Sequence, residues 1–167
     1  MTKLTAQKII QQLRLRPHPE GGYFRESYRA QGKIPKTVLT GAFKGNRSYS
    51  TAIYFLLPKG SRSSFHRILS DEIWHFYLGG PITIFELHNN GKIKKTVLGP
   101  LIHKNQKLQY VVPANCWFGA YPNPETKFAL AGCTVSPGFD FADFELADRA
   151  GLLKRFPKAR EEILKLT

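Results

Sequence analysis

The sequence predicts an all-β domain, an antiparallel sandwich or barrel, with a short helix before it and helices after it. From about residue 22 to 135 the chain is a succession of short segments rich in β-branched and aromatic residues. Gly, Pro and Asn separate these segments at regular intervals. Apolar residues recur at helical spacing only near the two ends. Short strands with turn chemistry between them must bury their apolar faces against one another, which layered antiparallel sheets accomplish.

Taken in order, TAQKIIQQLRL at 5–15 sets Ile9, Ile10 and Leu13 at helical spacing, with Thr5 as a cap and Pro17 ending the run. The segments GYFRESY, STAIYFLL, EIWHFYL, ITIFELH, KTVLGP, LQYVVP and KFALAGCTV then read as strands. Between them stand Pro58 with Gly60, Gly79-Gly80-Pro81, Asn89-Asn90-Gly91, Gly99-Pro100 and Pro122-Asn123-Pro124. The Asn90-Gly91 step is the clearest tight hairpin. Helical periodicity returns in ADRAGLLKRF and again over 159–166, interrupted by Pro157. The expected organisation is one domain over 1–167, with strands over about 22–135 and flanking helices over about 5–15 and 147–166.

A chain of 167 residues with 42% hydrophobic content can build a real core. Its longest apolar run, 52–57, is far shorter than a membrane helix, and no charged-then-apolar signal pattern opens the sequence. A soluble cytoplasmic protein without a membrane partner is therefore expected. The two cysteines, Cys116 and Cys133, lack zinc-knuckle spacing and read as buried, reduced thiols. The net charge of +13 is distributed as +9 over residues 1–60, +4 over 61–120 and zero over 121–167, scattered singly rather than gathered into an arm. That distribution suits a basic surface that attracts small anions, and no nucleic-acid partner is expected.

Chemistry concentrates in HRILSDEIWHFYLGG at 66–80, where His66, Asp71, Glu72 and His75 stand among large apolar residues. Gly60 is followed by five residues and His66, then by Ile68, then by Glu72, then by Gly79. This spacing resembles the first motif of the cupin superfamily, Gly-x5-His-x-His-x3-Glu-x6-Gly, with Ile68 in place of the second histidine. Downstream, Pro113 to Phe118 is similar to the second motif, Pro-x-Gly-x2-His, with Asn115 in the glycine slot and Phe118 in the histidine slot. The stretches RPHPEGGYFRESYR, STAIYFLLP, SSFHRILSDEIWHFYLG and CTVSPGFDFADFELADR resemble a small cupin group described as predicted sugar-epimerase-like proteins, from about residue 16 to 155. The resemblance implies a double-stranded β-helix, a jelly-roll barrel, paired into a homodimer.

Metal-binding cupins supply three histidines and a glutamate, because borderline transition metals favour imidazole nitrogen with a carboxylate oxygen. Ile68 and Phe118 leave two such donors, so neither a metal nor another cofactor is expected. The metal-free sugar-nucleotide epimerases of the superfamily use a histidine base and a tyrosine acid. GYFRESY resembles their ligand-contacting strand, and His66 falls where their base lies, with Glu72 able to orient it. Their acid tyrosine has no counterpart over 127–135, where Cys133 lies close to the slot; no spacing selects Tyr54, Tyr77 or Tyr121 instead.

His66 and Glu72 are thus the candidate catalytic residues of a cavity for a small sugar-like or anionic ligand. Arg25, Glu26, His75, Tyr77 and Trp117 are the candidate ligand contacts. Arg25 and Glu26 alternate, so one of them faces inward. Strict alternation would turn His75 and Tyr77 away from Glu72; a bulge after Glu72 would bring them to it, and this is the expected arrangement, because polar-tipped rings suit a dry core poorly. His18 and Glu20 read as loop staples or ligand contacts, Asp140, Asp143 and Glu145 as anchors of the final helices, and His88 and His103 as exposed. Metal-free isomerisation or epimerisation, non-catalytic binding and, less favoured, metal-dependent dioxygenation remain open at this level.

Overall fold

The computed structural model describes residues 4–167. Helix α1 (Ala6–Leu13) starts where predicted: the Thr5 hydroxyl accepts from the Lys8 amide at 3.3 Å, and Arg14 closes the helix in the left-handed region. Thirteen strands follow. They are β1 (Arg16–Pro17), β2 (Tyr23–Arg29), β3 (Lys33–Ile34), β4 (Arg47–Ser48), β5 (Thr51–Pro58), β6 (Ser63–Arg67), β7 (Asp71–Gly79), β8 (Ile82–Leu87), β9 (Ile93–Leu98), β10 (Gln109–Val112), β11 (Trp117–Pro122), β12 (Phe128–Ser136) and β13 (Glu145–Leu146). Helices α2 (Arg149–Arg155) and α3 (Arg160–Leu166) end the chain, separated by a short 3-10 turn that begins at Pro157.

The strands form a six-stranded sheet, β1-β2-β5-β12-β7-β10, and a five-stranded sheet, β13-β6-β11-β8-β9; β3 and β4 make a small ribbon of their own. Every pairing between named strands is antiparallel. The jelly-roll topology agrees with the sequence reading. Among the described residues no strand of one large sheet pairs with a strand of the other, so the expected barrel is an open two-sheet sandwich.

Alternation along each strand sorts the side chains into layers. Between the sheets lie Phe55, Leu57, Trp74, Ile82, Ile84, Leu98, Phe118 and their neighbours. Helix α1 covers the outer face of the six-stranded sheet through Ile9 against Leu56 and Leu130. The C-terminal helices cover the outer face of the five-stranded sheet, where Leu152, Phe156, Ile163 and Leu166 meet Phe65, Phe85, Leu87 and Trp117. The hairpin of β8 and β9 turns at Gly91, φ +82°, a backbone conformation that costs glycine little.

After β12 the chain crosses back over one end of the sandwich, anchored by a buried ion pair. The Arg47 Nε and Nη2 donate to the two Asp143 oxygens at 2.6 and 2.5 Å, and both residues are buried. Asp140 separately accepts from the Ala142 amide at 2.9 Å. Asp143 therefore anchors this crossing rather than the final helices.

Removing one partner of such a pair leaves a buried charge uncompensated. Asp143→Asn should lower unfolding stability by about 3 kcal/mol in urea titrations, and Arg47→Met with Asp143→Leu should cost less than the single substitutions added together.

Candidate functional site

A cavity of about 330 Å³ opens at the end of the sandwich that the 137–146 segment crosses. His66 of β6 and Glu72 of β7 reach it from the two sheets, and Glu26 reaches it from β2. Alternation accounts for each: Glu72 shares its face with the buried Trp74, Glu26 with Phe24, and His66 pairs with the inward Phe118. Further polar wall comes from Arg16 of β1, from His18 and Glu20 in the loop after it, from Thr51 of β5, and from Arg29 and Asp140 at the rim.

Glu20 reaches the interior because of the two glycines after it. Gly21 and Gly22 both have positive φ, and a Cβ on Gly21 would lie 2.2 Å from the Arg62 carbonyl oxygen. Only glycine lets the loop lie this close to β6. The Ser64 amide donates to the Glu20 carbonyl at 2.8 Å and the Ser63 hydroxyl donates to Glu20 Oε1 at 2.7 Å, fixing the carboxyl in place. Its other oxygen, Oε2, stands 3.2 Å from His66 Nε2 and 3.4 Å from His18 Nδ1.

The hydrogen bonds assign the protons. His66 Nδ1 donates to the Ser64 carbonyl at 2.8 Å, so the neutral ring presents an unprotonated Nε2 to Glu20. His18 Nδ1 accepts from the Glu20 amide at 3.3 Å and likewise lacks a proton. Two lone pairs thus face one carboxyl, an arrangement that favours a protonated Glu20. Burial agrees: it pushes Glu20 up to about 8 and Glu72 up to about 7, lowers His18 to about 4, and lowers His66. Cys133, in the cavity wall beside Glu72, has its thiol pushed well up, first by burial.

The other sequence candidates divide. Glu26 lines the cavity and holds Arg29 through two contacts of 3.0 and 2.7 Å; Arg25 lies on the outer face with its guanidinium over the Tyr54 ring. The expected bulge in β7 exists, but it falls between Phe76 and Leu78, after His75 rather than before it. His75 therefore stays opposite Glu72 in facing, 3.0 Å from the Thr134 hydroxyl, and Tyr77 lies about half exposed over Gly132, where a Cβ would come 2.2 Å from its hydroxyl oxygen. Neither lines the cavity. Trp117 is also outside it, packed under the C-terminal helices with Arg67 over its ring at 4.5 Å. His103 is exposed as expected, whereas His88 turns inward to within 3.1 Å of the buried Glu86.

Sequence reasoning missed Arg16 and Arg29 as cavity residues, left Glu20 undecided, and set Cys133 near the slot of the acid tyrosine without counting it among the ligand contacts. The PHPEGG run did carry a signal, since paired glycines after an acid mark a loop that packs tightly against backbone. Arg16 stacks over Phe24 at 4.9 Å and pairs with no carboxylate among the described residues.

The four-donor metal set of metal-binding cupins does not fit here. Ile68 and Phe118 occupy two of its positions with hydrocarbon, and the Phe118 ring lies 4.1 Å from that of His66, centroid to centroid. Among the described residues, no three donor atoms of the cavity's His, Cys, Asp and Glu side chains lie within 4.8 Å of one another. Asn115 in the glycine slot of the second motif takes positive φ, 61°, which asparagine tolerates better than most residues.

Comparison with known proteins places these features among relatives. The family described as Cupin superfamily (DUF985) matches residues 7–147. The chain is 30% identical over 146 residues to the uncharacterized protein YML079W of Saccharomyces cerevisiae, covering 82% of this chain and 72% of that one. It resembles the crystal structure of protein SO0799 from Shewanella oneidensis at TM-score 0.89 and 36% identity, covering 99% and 98% of the two chains. It also resembles a hypothetical protein from Leishmania major at TM-score 0.87 and 30% identity, covering 98% and 99%.

The raised carboxyls bear on stability. Each stays protonated in the folded protein up to its raised pKa but ionises near 4.5 in the unfolded chain, so the folded state holds more protons and stability declines as pH rises through that interval. The lowered histidines act oppositely, but only below 6.5. Between about pH 6.5 and 8 the carboxyls act alone, and wild-type stability should fall there by about 2 kcal/mol through Glu20. In chemical denaturation across this window Glu20→Gln should flatten the fall; an unchanged slope would refute the assignment of a protonated Glu20.

Proposed function

The chain belongs to the cupin superfamily, and on that premise we propose that its cavity binds a small anionic or carbohydrate-like metabolite and isomerises or epimerises it by proton transfer, without a metal. The observation that carries this reading is the buried set of Glu20, His66 and Glu72, in which two carboxyls flank one neutral imidazole.

Proton transfer beside a carbonyl needs a base that is free near neutral pH and an acid that still holds its proton. Glu72, pushed up to about 7, is substantially ionised at neutral pH and serves as the base that takes the proton from carbon. Glu20, pushed up to about 8, keeps its proton and delivers it to the enolate. After turnover Glu72 holds the proton taken from carbon and Glu20 is ionised; the unprotonated His66 Nε2, which lies against Glu20, accepts the proton that Glu72 gives up and hands it on to Glu20, so that the site resets. In this reading Glu20 fills the role for which the sequence offered no tyrosine: Tyr54, Tyr77 and Tyr121 all lie outside the cavity wall. The free guanidinium of Arg16 supports an anionic group on the ligand, such as a carboxylate or phosphate.

The same reading takes the working unit to be a cytoplasmic homodimer that acts on a small molecule, with neither nucleic acid nor membrane as partner. The scattered positive charge supports this, as do Tyr77 and Val111, each about half exposed on the outer face of the six-stranded sheet. No described helix is long and apolar enough to cross a membrane. Non-catalytic binding is favoured as a second reading by one feature: Cys133, with its thiol held protonated, stands near the position where the epimerases keep their acid tyrosine.

Ketoses, aldoses, their phosphates and 2-keto acids, incubated with the protein in deuterated water and followed by proton NMR, decide between the two. An isomerase should exchange the proton next to the carbonyl, and Glu72→Gln or Glu20→Gln should slow this by about 100-fold or more. The exchange rate should pass through a maximum between about pH 7 and 8, set by ionised Glu72 and protonated Glu20. Saturable thermal stabilisation by one of these compounds with no exchange would establish a binder instead.

A further inference from the structure

A second group of donor atoms lies between the sheets, outside the cavity. Glu86 is on β8, His88 follows two residues later, and Cys116 immediately precedes β11. Pairing of Phe118 with Glu86 sets β11 beside β8, and alternation turns Glu86, His88 and Cys116 to one face. Their donor atoms lie within 4.8 Å of one another: Glu86 Oε2 is 3.1 Å from His88 Nε2 and 4.0 Å from Cys116 Sγ. Among the described residues this is the one group of three or more such donors in that proximity.

We infer that Glu86, His88 and Cys116 form a binding site for a borderline divalent cation, with Zn²⁺ the best match.

A thiolate, an imidazole and a carboxylate make the mixed donor set that Zn²⁺ takes and that Mg²⁺ and Ca²⁺, which prefer all-oxygen shells, do not. Ligands on a tetrahedral Zn²⁺ stand roughly 3.3 to 3.8 Å apart, given metal–ligand bonds of about 2.0 to 2.3 Å, so the donors need only small adjustments. The hydrogen bonding favours an ion over a plain polar network. His88 Nε2 is a buried atom with no hydrogen-bond partner despite its closeness to Glu86 Oε2, so the two atoms lie side by side rather than aligned. Two ligands of a common third centre sit in this way.

The surroundings suit the role. Tyr110 donates its hydroxyl to Glu86 Oε1 and so holds the carboxylate with Oε2 directed to the other two donors, as partners behind metal ligands do. Lys94, the cross-strand neighbour of Glu86, lies over the Tyr110 ring at 4.6 Å and feels the Glu86 charge, and among the described residues no lysine or arginine forms an ion pair with Glu86 within 4.0 Å. Glu86 and Cys116 are buried, while the His88 side chain remains 24% exposed, so of the three His88 lies nearest the surface. Three protein ligands leave a fourth position for water.

The test is titration of the full-length, chelator-stripped protein with Co²⁺. One equivalent should bring up a sulfur-to-cobalt charge-transfer band together with the intense visible bands of tetrahedral cobalt, and Zn²⁺ should bleach both. Cys116→Ser should lose the charge-transfer band, and His88→Gln, at the part-exposed position of the three, should weaken binding by at least about tenfold. Tyr110→Phe should weaken it by about 10-fold. Absence of the charge-transfer band in the wild type would overturn the proposal, as would a band that survives Cys116→Ser or disappears with Cys133→Ser. Circular dichroism melts of each metal-free variant verify the fold, and should Cys116→Ser unfold, the wild-type and His88→Gln titrations decide alone.

Discussion

Glu20 carries a buried carboxyl into the wall of the cavity, where ionisation costs more than it does at the surface, and the surrounding elements meet that cost by hydrogen bonding rather than by charge. Ser63 donates to one oxygen, and the ring nitrogens of His66 and His18 face the other. A neutral Glu20 has one proton to give to His66 Nε2, and its backbone amide serves His18 Nδ1, so the site holds together without stranding a buried ion. The same constraint fixes the His66 tautomer through Ser64 and shapes the loop, which approaches β6 only because glycines follow Glu20.

Around this point the fold divides its labour by layer. The apolar faces of the sheets meet through Trp74, Phe55 and Phe118, giving the cavity a rigid floor, while helices seal the two outer faces and leave the cavity free of helix contacts. The crossing segment that rims the cavity contributes little apolar burial of its own at Asp140 and Phe141, and the Arg47–Asp143 pair holds it down. The sandwich also buries Glu86, with Tyr110, His88 and Cys116 as neighbours. Two polar centres therefore share one apolar core, and the positions that Ile68 and Phe118 fill with hydrocarbon keep a metal out of the first.

Much of this was legible in the residues. Strand texture and turn residues marked β2, β5, β7, β8, β9, β10 and β12 in order but passed over β6 and β11, whose short runs carry few β-branched residues; Thr5 and Pro17 bounded the first helix, and Pro157 divided the last two. The spacing from Gly60 to Gly79 brought His66 and Glu72 to one cavity from two sheets, because motif spacing records the turns that such convergence needs. His75 and Tyr77 were misread for a local reason: a bulge in β7 was foreseen, but its position depends on how β12 pairs alongside, and it falls two residues too late to turn His75. Trp117 belongs to the helix-facing layer because its parity is opposite to that of Phe118.

By itself, then, the sequence determined seven of the strands and the flanking helices through periodicity and turn residues, and its resemblance to the cupin motifs pointed to the superfamily and to the pair His66 and Glu72. The tertiary structure alone decided that Glu20, 46 positions before His66, is its partner, that Arg16 and Arg29 rather than Arg25 face the cavity, and that His88 meets Cys116. These follow from which strands lie side by side and which face each edge presents. Pairing between distant segments is set by burial of the whole apolar surface, a sum over the entire chain that no local stretch encodes.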